Sequence, residues 1–248
     1  MKRNILITGS SHGIGAGCAI AFARDEGANI GITCNKNPEG AKAVAAECEK
    51  YGVKTKIYAG DVGKHDHCKA MVEDFIATFG KIDVLVNNAG AGGKILPLAE
   101  QTDDDLSRTV AVNLTGAMMG CARAARAMIA RGKGGAIVNV SSVCALYAWP
   151  GWGVYTAAKA GLSKFSHALY AELRPHGIRV TCVTPSWGRT GFNAAAGIRG
   201  ASEDRALAKL CIQPEDLGRI VRGILEQPDH LAVPELTVLP QVQDIVPM

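Results

Sequence analysis

The stretch Asn4-Ile5-Leu6-Ile7-Thr8-Gly9-Ser10-Ser11-His12-Gly13-Ile14-Gly15 decides the fold. Its apolar start is short and ends in glycine, which reads as a buried strand, Asn4–Thr8. Helical spacing follows through Ile14, Cys18, Ala21 and Phe22, which predicts a helix over Gly13–Arg24. A strand that turns through glycines into a helix opens a βαβ unit.

The alternation continues down the chain. Apolar runs predict strands at Asn29–Cys34, Lys54–Ala59, Ile82–Val86, Ala136–Val140, Arg179–Val183 and Leu236–Leu239. Between them, helices are expected at Pro38–Tyr51 and Lys64–Phe79, and from the polar Gln101–Asp105 segment to Arg131. More follow at Val154–Glu172, Glu203–Leu210 and Glu215–Glu226. This order predicts an α/β, doubly wound, mostly parallel sheet of about seven strands with helices on both faces. No internal linker or repeat interrupts it, so residues 1–248 are read as one domain.

Composition agrees. The 248 residues are 48% hydrophobic and 20% charged, enough to bury a core without disulfides or metals. The formal net charge is +4, with no basic stripe, which argues against a nucleic-acid partner. Mean hydropathy is +0.09, and no run approaches the ~18 apolar residues of a membrane span. The start of the chain lacks the features of a secretory signal, so a cytoplasmic location is expected. Eight scattered cysteines without a Cys-x-x-Cys pair read as reduced, mostly buried thiols.

Glycines between a first strand and a first helix let a diphosphate approach the backbone and the helix's positive end. The spacing here is Gly-x₃-Gly-x-Gly; a purely structural tight turn is the competing reading. A carboxylate at the end of the second strand would bind the adenosine ribose of NAD and repel a 2′-phosphate. Cys34-Asn35-Lys36 stands there instead. Lys36, aided by His12, favours NADP, although an exposed loop lysine is common. Asp61 either receives the adenine amino group or caps the next helix.

Ser142 closes the fifth strand, and Tyr155 and Lys159 lie four apart on the following helix, hence on one face. A nearby ammonium favours the phenolate, so Lys159 is expected to lower the Tyr155 pKa. Tyr155 then exchanges a proton with a carbonyl or alcohol oxygen, which Ser142 orients. An isolated Tyr-x₃-Lys pair is common by chance; Ser142 and the upstream turn make chance a poor account of this one.

With these residues in place, the chain resembles the short-chain dehydrogenase/reductase family over about residues 4 to 226. Thr8 to Gly15 resembles its cofactor turn, and Asn87-Asn88-Ala89-Gly90 its sheet-steadying motif beside the adenosine. Asn113 matches the asparagine that holds a proton-relay water. Ser142, Tyr155 and Lys159 match the catalytic trio, and Pro185 and Thr190 the segment gripping the nicotinamide carboxamide. The resemblance implies a Rossmann-like fold and hydride transfer between NADP(H) and a ketone, aldehyde or secondary alcohol, with Tyr155 as acid. Asn113, Ser142, Tyr155 and Lys159 are then the expected catalytic residues. Expected cofactor contacts are Gly9, Ser11, His12, Gly13, Ile14 and Gly15, then Asn35, Lys36, Asp61 and Val62. Asn88, Ala89, Gly90, Tyr155, Lys159, Pro185, Ser186 and Thr190 complete that set. It also implies a homotetramer or homodimer through helices at about 106–131 and 153–173.

Two departures matter. Ser186 replaces the usual glycine after Pro185, and the Asp-Gly-Gly ending common in ketoacyl-carrier-protein reductases is missing. The second points away from a 3-oxoacyl-thioester reductase, which stays the alternative substrate reading. The remaining alternatives are a non-catalytic NADP-binding sensor and an isomerase or dehydratase on the same fold. On the substrate side, Gly92, Cys144, Trp149, Trp152, Trp187 and Phe192 are expected to line the pocket. Large rigid rings suit an apolar, flat or cyclic ligand. Packing of the tryptophans against a neighbouring subunit competes. Residues Asn193–Asp204, within a substrate loop of about 186–210, read as a mobile lid. His65-Asp66-His67-Cys68 concentrates metal-ligand types but reads as a solvated helix start, and no metal site is expected.

Overall fold

A computed structural model describes residues 2–197 and 204–243. Seven strands form one parallel sheet in the order β3-β2-β1-β4-β5-β6-β7. They are β1 (Asn4–Ile7), β2 (Asn29–Cys34), β3 (Thr55–Ala59), β4 (Val84–Asn87), β5 (Gly135–Val140), β6 (Ile178–Pro185) and β7 (Glu235–Val238). Every pairing is parallel, with Ile5 opposite both Ile30 and Val84. Ile5, Leu6 and Ile7 are completely buried, as strands covered on both faces must be.

The helices are α1 (Gly13–Glu26), α2 (Pro38–Glu49), α3 (His65–Phe79), α4 (Asp103–Val110), α5 (Gly116–Arg131), α6 (Gly153–Leu173), α7 (Phe192–Ala195) and α8 (Pro214–Leu225). Side chains of α1, α2 and α8 fill one face of the sheet around Phe22, Val44 and Val221. Those of α3, α5 and α6 fill the other around Phe75, Met128 and Leu169. The strand order reverses between β1 and β4, which opens a crevice at their carboxyl ends. Helix α1 crosses α8 so closely that a Cβ on Gly17 would lie 2.2 Å from the Pro214 backbone.

Local signals explain most boundaries. Asn37 accepts the Gly40 amide at the start of α2, and Thr102 and Asp105 form a capping box on α4. Three expectations needed revision. The long region to Arg131 is not one helix, because a π turn at Ala111–Thr115 separates α4 from α5. There Asn113 turns inward to bond the Ala91 backbone, which a regular helix face would not reach. In place of a Glu203–Leu210 helix, the described part holds a single 3₁₀ turn at Leu207–Lys209. The Asp204 carboxylate accepts the Ala206 and Leu207 amides, a local turn that competes with a longer helix. Asp61 does not cap α3, whose N-cap is Lys64.

Candidate active site

The glycine-rich turn is held rigidly from below. Gly9 has φ +64°, and a Cβ there would lie 2.8 Å from Ala89 Cα. Asn88 Nδ2 donates to the carbonyls of Thr8 and Gly9 at 3.0 Å each. The Gly9 amide donates to Thr33 Oγ1 at 2.8 Å. Above the turn, α1 begins without a cap: His12 makes no capping hydrogen bond, and the first turn carries no acidic residue. Its leading N–H groups, at Gly13, Ile14 and Gly15, therefore meet no capping side chain among the described residues at the positive end of the helix. That arrangement fits a diphosphate.

At the end of β2, Asn35 and Lys36 are exposed beside the same cleft, and Lys36 has no ion pair among the described residues. Asp61 is buried at the end of β3. One of its oxygens accepts the Gly63 amide at 2.9 Å, and the other accepts Arg108 Nη1 at 2.5 Å. Burial raises its carboxyl, but the Arg108 and Gly63 contacts outweigh this and hold it below the usual carboxylate range. His67 is drawn into the same corner, where its Nδ1 accepts the Asp61 amide. No cluster able to hold a metal ion occurs among the described residues.

Ser142 follows β5, and α6 brings Tyr155 and Lys159 to it from the neighbouring layer. Tyr155 is 6% exposed and Lys159 3%. Lys159 Nζ donates to the Val140 carbonyl at 2.8 Å and lies 5.8 Å from the Tyr155 ring centroid. Burial pushes Lys159 down to about 8. Burial also pushes the Tyr155 hydroxyl above its ordinary value; the nearby Cys144 adds to this and a Ser142 hydrogen bond opposes it. The expected lowering of Tyr155 by Lys159 is absent here. The physical reason is that burial of the tyrosine hydroxyl outweighs the neighbouring lysine. The Asn113 side chain is also fully engaged: Nδ2 donates to Ala91 O at 2.7 Å and Thr109 O at 2.9 Å, and Oδ1 accepts the Ala91 amide. It fastens the segment after β4; a Cβ on Gly90 would lie 3.0 Å from Asn113 Oδ1 and 3.5 Å from Lys159 Nζ.

Ser142, Tyr155, Lys159, Asp61, Lys36 and the turn from Gly9 to Ile14 face one cleft of about 980 Å³, whereas Asn113 and Gly15 stand behind its lining. Val62, Asn88, Ala89 and Gly90 line it on one side, and Pro185, Ser186 and Thr190 on the other. Thr190 Cγ2 sits against Gly13, so the segment after β6 closes over the start of α1. The Ser186 hydroxyl is buried without a partner among the described residues. All six expected pocket residues line the same cleft. Trp152 and Phe192 stack at 6.4 Å and 16°, and Trp152 meets Tyr155 edge-on at 5.7 Å. Gly92 forms the floor: a Cβ there would lie 2.8 Å from Ala196 Cβ. Trp149 pairs with Tyr147, and Trp187 is 38% exposed at the rim. Of the expected lid, residues 198–203 lie outside the described residues.

Sequence reading missed Arg108 and Gln243, which line the cleft as well. Arg108 looks like any solvated charge on a polar helix face. Gln243 reaches the site only because the segment after β7 folds back, where its Oε1 accepts the Trp187 amide. All eight cysteines are buried, and none forms a disulfide among the described residues. No described helix is long and apolar enough to cross a membrane.

Residues 3–198 match the family described as short chain dehydrogenase. The chain is 37% identical over 207 residues to 3beta-hydroxysteroid dehydrogenase 2 of Eggerthella lenta, covering 82% of this chain and 76% of that one. It is 39% identical over 236 residues to a 3-oxoacyl-[acyl-carrier-protein] reductase of Chlamydia muridarum, covering 95% and 89%. Among solved structures it is similar to a metagenomic short-chain oxidoreductase in complex with NADP. There the TM-score is 0.82 at 29% identity, over 97% of this chain and 98% of that one.

Proposed function

Because the chain belongs to the short-chain dehydrogenase family, and so is an oxidoreductase of CH–OH and C=O groups, we propose that it is an NADPH-dependent reductase of apolar ketones or aldehydes. Cyclic and aromatic carbonyl compounds suit it best. The observation that carries this reading is the meeting of Ser142, Tyr155 and Lys159 in the cleft onto which the uncapped start of α1 opens.

Bound NADPH supplies a hydride to the carbonyl carbon. The chain's own residues do the rest. Gly9, Ser11, Gly13, Ile14 and Gly15 hold the diphosphate with backbone and hydroxyl donors. Asp61 and Val62 receive the adenine, and Asn88, Ala89 and Gly90 flank the adenosine. Pro185, Ser186 and Thr190 hold the carboxamide. Ser142 orients the substrate oxygen, and Tyr155 Oη delivers the proton to it. Lys159 binds the nicotinamide ribose and sets its ammonium 5.8 Å from the Tyr155 ring centroid, where it opposes the burial that raises the hydroxyl. Asn113 holds the backbone through which a water resupplies Lys159.

Preference for NADPH over NADH rests on the exposed Lys36 at the cleft, assisted by His12 and Asn35, and on the absence of a carboxylate among Cys34–Lys36. The NADP complex of a solved relative supports it. The aromatic wall of Trp152, Phe192 and Tyr155 supports a flat apolar substrate, as does the hydroxysteroid dehydrogenase relative. A thioester reductase is the second reading, on the strength of the acyl-carrier-protein reductase relative. Association into dimers or tetramers through α4–α5 and α6 completes the proposal; Met118 and Ala168 stand exposed there.

The test is oxidation of NADPH beside NADH by the purified protein against cyclic ketones and a 3-oxoacyl thioester. Turnover of cyclic ketones with NADPH supports the reading. Turnover of the thioester alone moves the protein to the second reading, and binding of NADPH without turnover of any carbonyl overturns both.

A further inference from the structure

Behind the site, β5 and α6 are joined by polar groups where apolar ones would be ordinary. Asn139 and Ser141 alternate onto the side of β5 that faces α6, while Val138 and Val140 face the opposite layer. On α6, Ser163 and Ser166 follow Lys159 at four and seven residues, so all three share one face. The Ser141 hydroxyl donates to the Lys159 carbonyl at 3.1 Å and lies 2.8 Å from the Ser163 hydroxyl. Asn139 Nδ2 donates to Ser166 Oγ at 2.9 Å, and Ser166 donates to Leu162 O at 2.7 Å. Asn139 Oδ1 accepts Asn87 Nδ2 across the β4–β5 pair at 2.9 Å. All five side chains are buried, Asn139 and Ser166 at 0% and 1% exposure.

A satisfied buried polar pair contributes little more stability than a shape-matched apolar pair. It does fix register, since hydrogen bonds tolerate less sliding than apolar contacts and an orphaned buried group is costly. Two of these links flank the two atoms that matter most. Val140, whose carbonyl holds Lys159 Nζ, lies between Asn139 and Ser141. At the far end, Asn87 adjoins Asn88, which grips Thr8 and Gly9. The seam therefore runs from the glycine-rich turn across the crevice to the helix of Tyr155.

We propose that Asn139, Ser141, Ser163 and Ser166 are positioning residues for the reduction. They lock α6 onto β5 so that Lys159 stays on the Val140 carbonyl and Tyr155 stays at Ser142. This rests on the reductase reading above, but it can be tested without it.

The test is the double variant Ser141→Ala/Ser163→Ala, in which both partners go together and neither side chain is left orphaned. Its melting temperature is expected to stay close to that of the wild type. Its kcat with a ketone is expected to fall about tenfold while KM for NADPH changes less than about twofold, as for a reacting group displaced by a fraction of an ångström. Amide hydrogen exchange across Lys159–Ser166 in the cofactor-free protein, read by mass spectrometry, is expected to quicken severalfold, because the links that hold α6 on β5 are gone. Ser163→Ala, which removes one link and leaves Ser141 donating to the Lys159 carbonyl, should act in the same direction, and replaces the double variant if that does not fold. An unchanged kcat and an unchanged exchange rate overturn the proposal. So does a loss of activity that follows the melting temperature and vanishes in the cold. If the wild type reduces no ketone, the reductase reading fails, and the hydrogen exchange of α6 alone still decides the seam.

Discussion

The Phe192 ring sits 5.3 Å from the Tyr155 ring, tilted by 55°. It comes from α7, a four-residue helix beyond the segment that closes over α1. Such a ring pair is worth about 0.5–1.5 kcal/mol beyond its area. Phe192→Ala should therefore raise KM for a bulky cyclic ketone about tenfold, since ~1.4 kcal/mol is one decade. The kcat for a small aliphatic ketone should change little. Equal losses on both substrates would show that the ring supports Tyr155 rather than the ligand.

Lys36 stands at the cleft edge without an ion pair among the described residues, next to the N-terminal turn of α2. A charge-assisted hydrogen bond is worth about 1.5–3 kcal/mol, so Lys36→Glu should raise KM for NADPH roughly ten- to a hundredfold. The same change should leave KM for NADH unchanged or improved. Steady-state kinetics with both cofactors checks this, and an unaltered NADPH/NADH ratio removes Lys36 from cofactor choice.

The fold was legible because its signals are local. Ile5 to Ile7 ending at Gly9 marks a buried strand and a tight turn whatever surrounds it, and Pro38 and Gly80 punctuate their helices. Tyr155, Lys159 and Ser142 were legible for a related reason: a four-residue helical spacing and a strand end fix their directions. What escaped is tertiary. The π turn depends on Asn113 reaching Ala91, a contact 22 residues away. Arg108 acquires its role only by meeting Asp61, 47 residues distant. The influence of Lys159 on Tyr155 was misjudged because burial cannot be seen in a spacing, and here it outweighs the charge.

That burial has a consequence for stability. Lys159 is pushed from its ordinary 10.5 down to about 8. Between those values the unfolded chain holds a proton there that the folded chain has shed, so this group's contribution to stability rises with pH across the window. The melting temperature of cofactor-free wild type minus that of Lys159→Met should accordingly climb from pH 8 to pH 10.5. The rise should be equivalent to at most about 3 kcal/mol. Calorimetry on both proteins checks it; a flat or falling difference means Lys159 is not held neutral by burial.

The central claim is that Tyr155 hands a proton to the oxygen of a carbonyl substrate. Tyr155→Phe removes only the hydroxyl from a buried ring whose aromatic neighbours, Trp152 and Phe192, remain. The measurement is turnover and NADPH binding by Tyr155→Phe beside the wild type, on whichever ketone the wild type reduces. The account predicts a loss of kcat of at least about a hundredfold, the usual scale for a general acid, with the NADPH dissociation constant within about twofold. Turnover within a factor of a few of the wild type would contradict it.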